Sequence, residues 1–122
     1  MTSAAAPAYV AVVLMLYVDL PETPLKPSAR DRWLAGQWHE QGVSVELVET
    51  ALLLACLRRL MRPTDLPPLP PIRSLAYFQP VIAELQLQPV PSGYLDYLRS
   101  KLHKFLESLP TKVQKTSVSD DR

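Results

Sequence analysis

Apolar positions along this chain gather into five blocks, with prolines between most of them. The block that organises the others spans residues 42–62, G-V-S-V-E-L-V-E-T-A-L-L-L-A-C-L-R-R-L-M-R. Val45, Val48, Leu52 and Ala55 recur at helical spacing on one face, and Leu47, Leu54, Leu57, Leu60 and Met61 cover much of the remainder. Glu46, Glu49 and Thr50 form its polar strip. A helix that is apolar on nearly every side has to be enclosed by other elements. Gly42 reads as the stop of a preceding helix, Ser44 as the N-cap of this one and Pro63 as its end. Acids at its start and Arg58, Arg59 and Arg62 at its end suit the helix dipole.

The other four blocks supply the enclosure. Residues 8–20, A-Y-V-A-V-V-L-M-L-Y-V-D-L, are ambiguous between helix and strand by periodicity. No convincing partner strand exists, so a buried helix ended by Pro21 is the choice. Residues 21–27 hold three prolines and read as an extended connector. Ser28 caps a helix over 29–41, with Asp31 in its first turn and Trp33, Leu34, Ala35 and Trp38 as its apolar stripe. Two tryptophans on one short helix read as a packed seam, with a base-stacking platform as the alternative.

Residues 62–71, R-P-T-D-L-P-P-L-P-P, form a polyproline strap laid over the domain or, alternatively, a ligand for an aromatic groove. Residues 72–87 read as a helix capped by Ser74, with Leu75, Phe78, Ile82 and Leu85 on one face, Tyr77 and Val81 beside them, and a kink or break at Pro80. Residues 94–109 form an amphipathic helix burying Leu95, Leu98, Leu102, Phe105 or Leu106, and Leu109. The fold expected is all-α: a compact bundle of about five helices around the central one, joined by proline-rich connectors. Its domain covers 8–109, between a flexible N-terminus (1–7) and a disordered tail (110–122).

Composition adds bounds. At 122 residues and 48% hydrophobic, the chain can hold one modest core. The net charge of +1 names no partner. The distribution is uneven: residues 1–57 carry three bases against six acids, and residues 58–115 nine bases against four acids. That polarity fits a weak nucleic-acid footprint or the two faces of an assembly. Cys56 is the single cysteine, reads as a buried structural thiol, and fits a cytoplasmic protein. The 8–20 run is too short to span a bilayer, and no membrane partner is expected.

Two resemblances enter on particular residues. Residues 38–55, W-H-E-Q-G-V-S-V-E-L-V-E-T-A-L-L-L-A, followed by 74–85, S-L-A-Y-F-Q-P-V-I-A-E-L, resemble the C-terminal helical domain of DnaD-type primosome proteins and of phage and plasmid replication proteins. Tyr77, Phe78, Val81 and Ile82 match that family's pattern, and Leu85 stands where the family has Trp. The chain also resembles small uncharacterised bacterial proteins carrying L-P-x-T-P, P-P-I-R-S-L-x-Y-F-x-P-V-I and Y-L-x-Y-L-R, here residues 20–24, 70–82 and 94–99. The second likeness spans nearly the whole domain and implies mobile-element DNA metabolism without a defined activity. The first implies binding to DNA or to a replication partner, with DNA contacts in a basic segment that here holds Arg99, Lys101 and Lys104, then Lys112 and Lys115.

No Gly-rich phosphate loop, G-x-S-x-G or H-E-x-x-H is present. His39 and His103 have no metal-site spacing. An enzyme, a metal and a cofactor are therefore not expected. The expected function is a non-catalytic accessory protein of DNA replication or recombination. Its DNA contacts would be Arg58, Arg59, Arg62, Arg73, Arg99, Lys101 and Lys104. Its partner-protein contacts, with a replication or recombination protein or a second copy of the chain, would be Trp33, Trp38, Tyr77 and Phe78. The alternative is a protein–protein adaptor without nucleic-acid contact, docking through residues 9–20 or the tryptophan face.

Overall fold

The computed structural model describes residues 6–108. Five α-helices follow one another: α1 (Ala6–Val18), α2 (Ala29–Glu40), α3 (Val45–Leu60), α4 (Gln79–Leu87) and α5 (Tyr94–Glu107). A 3-10 turn, Leu75–Phe78, precedes α4. Among the described residues there is no strand. The all-helical bundle expected from the apolar pattern is the fold. The parts of that expectation on residues 1–5 and 109–122, with Leu109, Lys112 and Lys115, lie outside the described residues.

α3 is the axis. It packs against α1, α4, α5 and the 3-10 turn, while α2 lies on α1 and that same turn. Val48, Ala51, Leu52, Leu53, Ala55, Cys56 and Leu57 are all buried along it. Ser44 caps it, accepting from the Leu47 N–H at 3.0 Å. Two of its positions depart from the sequence reading. Thr50 belongs to the core rather than to a polar strip, because its hydroxyl donates to the Glu46 carbonyl at 2.7 Å and needs no water. Met61 is half exposed, because the helix ends at Leu60 and the chain turns away. Cys56 is the buried thiol expected, and burial pushes its pKa up to about 12.

The connectors are fastened by few but specific bonds. Gly42 takes a left-handed φ of 78° where the chain reverses between α2 and α3. Across that reversal the Tyr9 hydroxyl donates to the Val43 carbonyl at 2.7 Å. Glu22 also adopts a positive φ, 68°, unusual for a residue with a side chain, and its carbonyl accepts from the Ile72 N–H at 2.9 Å. The Thr23 hydroxyl donates to the Leu20 carbonyl at 2.7 Å, closing the turn after α1. Pro80 breaks the helix expected over 72–87: the chain is extended at Ser74, turns in a 3-10 helix, and enters α4 with Pro80 in its first turn, where no N–H is needed.

The two tryptophans do not share a seam. Trp38 is buried and its indole N–H donates to the Gln79 side-chain carbonyl, whereas Trp33 is 60% exposed. Five residues on a helix turn through about 140° beyond a full revolution, so one face cannot hold both.

Candidate nucleic-acid interface

The cations proposed from sequence divide into two groups once their partners are known. Arg58 is fixed to Glu84 by two hydrogen bonds, 3.0 and 2.7 Å. Arg99 makes the same two-pronged contact with Glu49, at 2.8 and 2.7 Å, and a further bond to Asp96 at 3.1 Å. Arg59 is more deeply committed, with a side chain only 7% exposed. It donates to the Glu22 carboxylate at 2.7 Å and to the Pro70 carbonyl at 2.6 Å, and its guanidinium carbon lies 5.4 Å from the centre of the Tyr77 ring. Arg59 thus ties the turn after α1 to the proline strap and the 3-10 turn. Lys101 lies over the Tyr97 ring at 5.8 Å, and Arg62 reaches the Pro67 carbonyl at 3.4 Å.

Those bonds raise the basicity of Arg58 and Arg99, because pairing with Glu84 and Glu49 favours the charged guanidinium. The Glu84 carboxyl is correspondingly lowered by Arg58. A phosphate approaching any of these pairs meets a carboxylate as well as the arginine.

Lys104, exposed on α5 and in no ion pair with a described residue, belongs to the other group, as does Arg73. Arg73 is exposed and makes no ion pair with any described residue. Its position is set by a bond two residues on, where the Leu75 N–H donates to Asp31 at 3.0 Å. Asp31 is buried and also accepts from the Ser28 N–H at 2.9 Å, while Ser28 accepts from the Asp31 N–H at 3.1 Å. This reciprocal box satisfies the first turn of α2 with side chains of its own. The same bonds bring the 72–75 segment against the start of α2. There stand Lys26, Arg30 and Arg32, all exposed and none in an ion pair with a described residue.

Sequence reasoning passes over these three because they lie in the acid-rich half of the chain. A closer signal exists. From residue 24 to residue 39 the sole acid is Asp31, at the capping-box position three residues after Ser28, where its charge is already used.

The partner residues named from sequence divide likewise. Trp38 and Phe78 are core, Phe78 standing edge-on to Tyr17 with ring centres 6.0 Å apart. They give a partner no surface in this fold. Trp33 and Tyr77 reach solvent, but Tyr77 is engaged by Arg59.

A groove of about 610 Å³ runs between the start of α3, the start of α5 and the 89–93 loop. Its walls include Glu46, Thr50, Asp96 and Arg99, with the Thr50 hydroxyl and the Arg99 guanidinium engaged as described. No group of three or more histidine, cysteine or carboxylate side chains suited to a metal occurs among the described residues. No described helix is long and apolar enough to cross a membrane. No known family, curated protein or solved structure matches the chain.

Proposed function

We propose that the protein is a non-catalytic, cytoplasmic accessory factor of DNA replication or recombination, of the mobile-element kind, that works by binding DNA. The observation that carries this reading is the set of four exposed cations Lys26, Arg30, Arg32 and Arg73. Two chain segments bring them together, none is paired with a described carboxylate, and no exposed acid lies between residues 24 and 39. Unpaired cations release counterions when they meet phosphates, so affinity falls steeply with salt. Titrating labelled DNA with the purified protein at rising salt tests this. Binding at low salt that weakens as salt rises is expected; no binding at low salt would overturn it.

A second reading, a protein–protein adaptor, has its own support. α1 carries no charged residue, and Ala8, Ala11, Val12 and Met15 lie outward on it at helical spacing. A contiguous apolar stripe of that kind is a surface for a partner protein or a second copy of the chain. The two readings use different helices, and one protein can serve both.

A further inference from the structure

The side chain of Trp33 stands on α2 between Arg30 and Arg32, two exposed cations in no ion pair with a described residue. Asp31 points into the core, and a residue two positions later on a helix points nearly the opposite way. Trp33 therefore faces outward, with Arg30 and Arg32 on its two flanks. No ring or cation contact among the described residues holds its indole, which remains 60% exposed. One turn further on, Gly36 interrupts the helix without a packing reason: a methyl group there would touch nothing within 4 Å. A glycine inside a helix is destabilising, and this one leaves the ledge beside Trp33 clear. Leu25, 76% exposed, and Lys26 precede the helix on the same connector.

An outward indole between arginines that no described carboxylate engages matches one chemistry well. Unpaired bases present flat π-faces that stack on an indole, and the flanking cations follow the backbone of the same strand. A duplex keeps its bases stacked on each other and offers the indole only phosphate and groove. We infer that the α2 face built from Trp33, Arg30 and Arg32 is a binding site for single-stranded DNA, with Trp33 as the stacking platform. This rests on the DNA-binding reading and narrows it to one form of DNA.

The full chain carries two tryptophans, one exposed and one buried, so intrinsic fluorescence reads the site directly. Titration with a short oligothymidylate should quench the emission, and a duplex of equal length should bind more weakly. Trp33→Ala should lower affinity for the single strand by roughly tenfold, in keeping with the loss of one stacked base. Trp33→Phe keeps a stacking ring, and should bind within about threefold of the native chain while losing most of the quenching. Unchanged circular dichroism of both variants establishes that they are folded. Native affinity in Trp33→Ala, quenching undiminished in Trp33→Phe, or equal binding of single strand and duplex would each overturn the inference while leaving DNA binding intact. No binding of either form at low salt would instead remove the reading beneath it.

Discussion

The arginines at the end of α3 and the cations at the start of α2 look alike in composition and differ in what surrounds them. Arg58 and Arg59 each meet a carboxylate brought from a remote part of the chain, Glu84 and Glu22. Lys26, Arg30, Arg32 and Arg73 meet none among the described residues. The first region uses its charge to hold helices and strap in place. The second has its charge left over, while the one acid it contains caps a helix and anchors Leu75. A basic side chain is evidence of an anionic ligand only after its internal partners have been counted.

The sharpest way to break this comparison is at Asp31. Asp31→Ala would leave the Ser28 and Leu75 N–H groups without their acceptor and release the segment that carries Arg73. A destabilisation of about 2–3 kcal/mol is expected from one buried and one part-buried charge-assisted hydrogen bond, measurable by urea unfolding. Next comes Arg59→Ala, which frees Glu22 and the Pro70 carbonyl from a largely buried guanidinium. About 2 kcal/mol is expected, reduced from the value for a fully buried pair because Glu22 is 44% exposed. Binding per folded molecule should not change. Arg30→Gln and Arg73→Gln reverse that pattern. Stability should stay within about 0.5 kcal/mol of native, and the salt slope for DNA binding should fall by about 1 for each phosphate no longer neutralised. The smallest effect sharpens the role of Gly36. Gly36→Ala should stabilise the chain by about 0.5–1 kcal/mol through helix propensity alone, since nothing crowds the new methyl group.

The helices are legible in the sequence because burial demands a period. The apolar spacing over 45–60 and 94–107 survives in the fold, and Ser28, Ser44 and Pro80 mark element ends by local chemistry that needs no distant partner. Placing both tryptophans on one stripe fails, and their spacing of five already separates them on a helix. The candidate site is legible only in part. Arg73 is among the seven cations named from sequence, but nothing there separates it from Arg58, Arg59 and Arg99, whose pairing is not visible. Their carboxylates lie 26, 37 and 50 residues away, and no periodicity encodes such contacts. The same contacts account for much of the charge asymmetry between the halves: Glu22 and Glu49, from the acidic half, are matched to Arg59 and Arg99 of the basic one. The motif residues behave similarly. Glu22 of the L-P-E-T-P stretch, Arg59, and Tyr77 of the Y-F-Q-P-V-I stretch meet in one knot, so architecture alone accounts for these three.

The most direct test sets the two regions against each other in one assay. Fluorescence anisotropy of labelled single-stranded DNA at low salt would compare the double variant Arg30→Gln/Arg73→Gln with the double variant Arg58→Gln/Arg99→Gln. The account predicts that the first loses most of its affinity and the second binds as the native chain does. Loss of binding in the second, with the first unaffected, would contradict it.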